Sequence, residues 1–319
     1  GEDAEIQIAL LCPIGIPGLL GEVASLVRRV APTAVEVDFV QDVPIQDIVR
    51  FQNGVGLIVR SAPQNRSIFL GMNIGASDLV NDNVASRNPL SDVRVRRAIS
   101  IAIDREAIRL VVMRGQSVPA GMIASPYVNG WEESLDRPRT PDIETARSLM
   151  HTAGFGDGFS IQLDCPNDRY VRDEEICQAV VGMLAQIGIK VSLSVKPKAQ
   201  HFPVVLNGET DFYMLGWGVP TYDSEFIFNF LVHSRSGSYG SWNATGYSDT
   251  ELDEKIESLS SETDSAERDR RIAEIWQVVQ QEQIYVPLHH QIVNWGMRSE
   301  IRTIVSPDDF PQFKYFSID

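Results

Sequence analysis

Apolar and polar residues alternate over Val35–Val40 (VEVDFV) and again over Ile189–Val195, the period-two pattern of a half-buried strand. Gly56–Arg60 and Ile68–Met72 read as two more strands, separated by a turn at Ala62-Pro63-Gln64-Asn65, with Gly54 and Gly56 as bends ahead of the first. Ile161–Leu163, Phe212–Leu215, a run around Val286-Pro287-Leu288 and another at Gln291–Trp295 complete the strands. Elsewhere the spacing becomes helical. Val95, Ala98, Ile99, Ala102, Ile103 and Ile108 form one apolar face behind a cap at Ser91 or Asp92. Thr140-Pro141-Asp142 opens a second helix, with Thr140 as cap, proline at the first position and acids in the first turn; Gly154 closes it. Asp173–Ile187 (stopped by Gly188), Ser248–Ser258, Ser265–Glu282 and a short segment, Pro44–Phe51, are the other helices. Gly75–Asn88 is small, polar and aperiodic, as a connector would be. Strands alternating with helices predict α/β layers.

A chain of 319 residues exceeds one small core and predicts two domains. With 28 Lys and Arg against 43 Asp and Glu, the formal charge is −15, the wrong sign for a nucleic-acid footprint. No apolar run reaches the ~20 residues a membrane crossing needs; Ile14–Leu20 is short and holds Gly15, Pro17 and Gly18. The first residues, GEDAEIQ, show no basic-then-apolar signal peptide, which a mature or trimmed chain would have lost. Of the three cysteines, Cys12, Cys165 and Cys177, none forms a Cys-x-x-Cys pair, so zinc ribbons and thioredoxin chemistry have no support. Cys165 and Cys177 flank a polar loop and could bridge in an oxidising compartment, but Cys177 also lies in an apolar helix stripe, which favours a small core residue.

There is no G-x-S-x-G, H-E-x-x-H or P-loop motif, and no pair of acids stands out as an acid/base couple. His289-His290 is the one histidine cluster; neighbours on a strand point to opposite faces, so one is expected inward and one outward, not both on one metal. Arg94-Val95-Arg96-Arg97 spreads around a helix with Asp92, Asp104 and Glu106 near, and reads as a solvated, ion-paired face. Trp242, Trp276 and Trp295 read as core. Two loops at strand ends remain: Asp164-Cys165-Pro166-Asn167-Asp168-Arg169-Tyr170 and Gly216-Trp217-Gly218-Val219-Pro220-Thr221-Tyr222-Asp223-Ser224-Glu225-Phe226. Ligands of α/β sheets sit on loops at the carboxyl ends of strands, so these are the candidate pocket.

Asn88–Ile108 (NPLSDVRVRRAISIAIDREAI) resembles the hallmark block of family 5 extracellular solute-binding proteins, the peptide, dipeptide and nickel receptors of ABC importers. The likeness continues, in order, through Pro141–Phe155, Leu184–Val191, Asp211–Gly218, Tyr247–Asp253 and Tyr285–His289. The first 34 residues match no block, and the resemblance implies a truncated chain. It implies an α/β, periplasmic-binding-protein-like two-lobed fold with a complete second lobe and an incomplete first: residues 1–74 as the end of lobe I, 75–284 as lobe II, 285–319 as a return segment.

The same resemblance implies a non-enzyme without cofactor, probing the periplasm as a monomer. It would capture a peptide-like or other small polar ligand between lobes and deliver it to a membrane permease. A receptor for a metal complex through His289 or His290, a receptor for an opine or sugar conjugate, and a peptidase are the alternatives. By resemblance the ligand contacts would be Trp217, Gly218, Val219, Thr221, Tyr222 and Asp223, with Asp168, Arg169, Tyr170 and Lys198. Leu70, Gly71, Met72 and Asn73, with Pro287, Leu288 and His289, would be the crossings. Many peptide-binding members carry an acid three residues after this tryptophan, pairing the ligand's α-ammonium; here that position is Pro220. Asp223 would replace it, or would merely cap the helix that follows.

Overall fold

The structure, a computed structural model, describes residues 8–9, 38–80, 83–84 and 87–319. The first part of the expected strand Val35–Val40, parts of the expected connector and almost all of the unmatched first 34 residues lie outside them. In chain order the strands are β1 (Ile8–Ala9), β2 (Phe39–Val40), β3 (Leu57–Met72), β4 (Ser117–Pro119), β5 (Phe159–Pro166), β6 (Ile189–Lys196), β7 (Phe212–Gly218), β8 (Tyr285–Arg298), β9 (Ile301–Arg302) and β10 (Ser317–Ile318). The helices are α1 (Ile48–Gln52), α2 (Val93–Ala102), α3 (Arg105–Ala107), α4 (Ile143–Thr152), α5 (Asp173–Ala185), α6 (Lys198–Leu206), α7 (Ser224–Ile227), α8 (Thr250–Ser258) and α9 (Ser265–Gln281). The chain forms two compact units, residues 1–64 with 292–319 and residues 65–291.

In the first unit, β2 pairs in parallel with β1 and antiparallel with the end of β8, Phe39 opposite Met297. Its buried cluster is Phe39, Val293, Trp295, Met297 and Ile301. The Phe39 and Trp295 rings meet edge to face at 5.4 Å, and the indole N–H of Trp295 donates to Asp309 at 2.9 Å.

The second unit is built on a sheet in which β3 pairs antiparallel with β7, β7 runs parallel to β5, and β5 parallel to β6. The start of β8 lies beside β3, and β4 pairs with it. Alternation along the strands sends side chains into two cores. Ile68, Leu70, Leu163 and Met214 meet Val95, Ile99, Met150, Ile176 and Val180 of α2, α4 and α5 on one face. Phe69, Tyr213 and Leu215 meet Leu252, Ile256, Ile272 and Trp276 of α8 and α9 on the other. Each such fully buried side chain contributes roughly 1.5–3 kcal/mol.

Four differences from the sequence pattern have physical reasons. The expected turn at Ala62–Asn65 is absent: β3 runs unbroken through Pro63, whose fixed φ suits an extended chain and which lacks only a donor. The expected long helix breaks at Ile103 and Asp104, both extended, where the Asp104 carboxylate caps α3 by accepting the Ala107 N–H. Arg96 is buried, not solvated: its guanidinium donates to the carbonyls of Leu90, Ser91 and Glu282. His289 and His290 are both buried, because β8 is covered on both faces. No helix among the described residues is long and apolar enough to cross a membrane.

Candidate functional site

Because β5, β6 and β7 run parallel, their carboxyl ends gather three connections: 167–172, Pro197 leading into α6, and 219–223. The exit of β7 is fixed from both faces of the sheet. On one face the Tyr170 hydroxyl accepts the Gly216 N–H at 2.8 Å and lies 3.2 Å from the Gly216 carbonyl. A Cβ on Gly216 would stand 2.5 Å from Ile68 Cδ1 and 2.7 Å from the Tyr170 ring, so only glycine admits this clasp. Gly218 similarly lets the Asn65 carbonyl come within 3.1 Å of where its Cβ would be. Asn65 then holds the next residue, its amide donating to the Val219 carbonyl at 2.6 Å.

Trp217, one residue on from Gly216, takes the opposite face. Its partly buried ring packs with Phe226 (5.9 Å), Phe230 (6.0 Å) and Trp242 (5.6 Å), and the indole N–H is buried without an acceptor among the described residues. Sequence reasoning assigned Trp242 to the core, kept Phe226 in the candidate stretch and missed Phe230. The only signal for Phe230 was its i, i+4 spacing from Phe226.

The loop after β5 is organised by Asp173, whose carboxylate accepts the N–H groups of Arg169, Tyr170 and Glu174. The Arg169 guanidinium lies 5.1 Å from the centre of the Tyr170 ring, a cation–π distance. Asp168 takes the Lys198 N–H at 2.6 Å, joining this loop to the start of α6, whose Lys198 side chain is exposed. Thr221 is exposed, and Tyr222 holds a left-handed φ of 55°, costly for a side chain of this size.

Asp223 caps α7 through the Glu225 N–H and forms a two-point pair with Arg268 at 2.8 and 2.9 Å. Burial raises its pKa, but Arg268, the Glu225 N–H and Asn129 outweigh that and hold it below the usual range. Its carboxylate is thus occupied. The remaining named positions lie inside the second unit: Leu70, Gly71 and Met72 are ladder residues of β3 opposite Met214, Tyr213 and Phe212, Asn73 follows them, and Pro287, Leu288 and His289 belong to β8. The chain changes unit at 64/65 and 291/292, within β3 and β8.

Burial pushes the Asp173 carboxyl from 3.8 up to about 6, against the pull of its three N–H donors. The folded state therefore holds this proton more tightly than the unfolded chain. The stability it contributes is complete below 3.8 and is lost as pH rises through about 6. Between pH 7 and pH 5 this group should add about 1 kcal/mol, a slope that Asp173→Asn should remove; urea titrations of both proteins at the two pH values check it.

The fold also assembles a set that no local motif announced. Ser67 Oγ is 2.8 Å from His290 Nδ1, and His290 Nε2 is 2.9 Å from Asp136 Oδ2. Asp136 further accepts the Gly121 and Met122 N–H groups and the Trp131 indole. The order resembles a nucleophile, base and orienting acid, but Ser67 is 1% exposed and His290 0%, so the hydroxyl has no surface on which to meet a carbonyl carbon. The set ties β3, β8 and the 121–136 segment together. Among the described residues His289 has no hydrogen-bond partner at either nitrogen, and burial with the neighbouring His290 pulls it down to about 3. No group of three metal-ligating side chains occurs among the described residues.

Comparison with known proteins gives concordant likenesses. The family described as "Bacterial extracellular solute-binding proteins, family 5 Middle" matches residues 24–239. The glutathione-binding protein GsiB of Salmonella typhimurium is 24% identical over 259 residues, 79% of this chain and 48% of that protein. The chain thus spans about half the length of the curated relatives it matches. Among solved structures, AgaA of A. tumefaciens R10 in complex with agropinic acid aligns with a TM-score of 0.74 at 19% identity, covering 93% of this chain and 58% of that one. The periplasmic binding protein DppA of Helicobacter pylori, in complex with the peptide STSA, aligns with a TM-score of 0.74 at 16% identity, covering 93% and 55%. These likenesses show the periplasmic-binding-protein fold, and the proteins named are binding proteins, not enzymes.

Proposed function

The chain belongs to the bacterial extracellular solute-binding proteins, family 5, and from that premise we propose that it captures a small polar or peptide-like solute for an ABC importer. Capture takes place outside the cytoplasm, in the periplasm, with a monomer handing the solute to the membrane permease. The observation that carries this reading is the exit of β7: an indole flanked by Gly216 and Gly218, clasped by Tyr170 and Asn65, at the carboxyl end of a parallel sheet. The likeness to a glutathione-binding protein, an agropinic-acid complex and a peptide complex supports small polar solutes as a class. Trp217, Gly218, Thr221, Tyr222, Asp168, Arg169 and Lys198 make the wall in this reading, while Tyr170, Asp223 and the buried Val219 hold it in place. The passage of the chain between units within β3 and β8 supports hinges in those strands.

Calorimetric titration with glutathione and with short peptides tests the proposal, with recovery of the ligand intact. Trp217→Ala should weaken capture by at least ~1 kcal/mol, the usual threshold for a contact that matters. Unchanged affinity would remove the β7 exit from the site.

A further inference from the structure

The connections at the carboxyl ends of β5, β6 and β7 carry both signs of charge; their acids are mostly occupied, as is Arg172, paired with Glu175, whereas Arg169 and Lys198 are not. Asp173 is filled by three backbone N–H groups, and Asp223 and Glu225 are paired to Arg268. Asp168 accepts the Lys198 N–H with one oxygen at the start of α6. By contrast, among the described residues nothing accepts a hydrogen bond from the guanidinium of Arg169 or the ammonium of Lys198.

The Arg169 guanidinium is also held in place. It rests on the Tyr170 ring, whose hydroxyl is clasped to Gly216, while Asp173 fixes the backbone of both residues. A pre-positioned fork of donors loses little freedom on meeting a planar anion. Across β7, the Trp217 indole N–H adds a buried donor without an acceptor, set among Phe226, Phe230 and Trp242. Pro220 contributes neither charge nor N–H to the same loop. The exit of β7 thus offers donors and ring surface, and an ammonium buried there would lack a full carboxylate partner.

Resting on the solute-capture reading above, we propose that the solute is an organic carboxylate with an apolar body, that Arg169 is its anchor, and that a free ammonium group is not required for recognition. A ligand series separates the groups: Ala-Phe and Ala-Leu, each free, N-acetylated and C-amidated, titrated against the full chain and against Arg169→Gln. The expected result is that N-acetylation leaves affinity within about threefold, while amidation lowers it at least about tenfold, as loss of a charge-assisted pair does. In Arg169→Gln the free and amidated forms should bind alike, with an unchanged circular dichroism spectrum and melting temperature showing that the fold is kept. Loss of binding on N-acetylation, or a carboxylate preference that survives in Arg169→Gln, overturns the proposal while leaving solute capture standing. Binding by no member of the series overturns both.

Discussion

Arg105→Leu should cost the second unit at least about 3 kcal/mol, the sum of several lost bonds from one charged donor to carbonyls that then stay buried. Arg105 is 4% exposed, and burial pulls its pKa down to about 10. Among the described residues it has no carboxylate partner; its donors go to the carbonyls of Pro287 at 2.6 Å, Ser100 at 2.9 Å and Ile103 at 3.2 Å, and to the Ser100 hydroxyl. Two of those carbonyls end α2, where the orphan acceptors and the negative end of the helix dipole favour a cation. The third belongs to β8. One side chain therefore fastens the corner between α2 and α3 to a strand that continues into the other unit. Leucine matches the apolar stem but leaves all three acceptors without this donor. Arg105→Lys keeps the charge with fewer, differently directed donors and should recover only part of the loss. Urea unfolding of the three proteins reads the difference directly, and a cost below about 1 kcal/mol for leucine would show that water replaces the guanidinium.

Arg105 also shows where sequence reading stops. Period was enough to place α4, α5, α8, α9, β6 and β7, because each is specified by residues within a few positions of one another, but α4 is capped by Asp142 and not by the expected Thr140. Arg96 was read as solvated because its partners are distant in the chain: Leu90 and Ser91 precede the helix, and Glu282 ends another. A helix wheel has no access to a carbonyl brought in by tertiary packing. The unbroken β3 escaped for the opposite reason. Ala62-Pro63-Gln64-Asn65 is good turn chemistry, and only its neighbours in the sheet keep it extended.

The site divides along the same line. The glycines around Trp217 marked a close approach, and the approaching groups are Tyr170 and the backbone of Asn65. That Tyr170 is a strut, and that Asp223 is engaged by Arg268, depended on residues 46 and 45 positions away. Ser67, Asp136 and His290 are separated still further, and nothing local marks them as neighbours. Helix capping by Asp223 could be foreseen from one position in the chain; its ion pair could not.

The second large effect concerns the cysteines. The apolar stripe favoured Cys177 as a small core residue, yet Cys165 and Cys177 are joined as a disulfide and both are fully buried. The stripe and the bridge are compatible, because the inner face of α5 lies against the end of β5. The 12-residue separation encloses Asp168, Arg169, Tyr170 and Asp173, whose carboxylate accepts the loop's N–H groups. Closing a loop of this length removes chain entropy from the unfolded state worth about 3 kcal/mol. The double variant Cys165→Ala/Cys177→Ala should therefore lose about 3 kcal/mol in urea unfolding, less whatever residual structure the unfolded chain keeps. Alanine avoids burying new hydroxyls, so the loss reports the cross-link and its small packing volume. The same variant should bind solute more weakly, because Arg169 and Tyr170 would be ordered only on binding, at a cost in conformational freedom. Reduction of the unaltered protein should reproduce both changes. If the variant keeps its midpoint but loses affinity, the bridge serves the loop alone; if it loses stability with affinity intact, Asp173 and the Tyr170 clasp suffice to hold the guanidinium, and the bridge serves the fold.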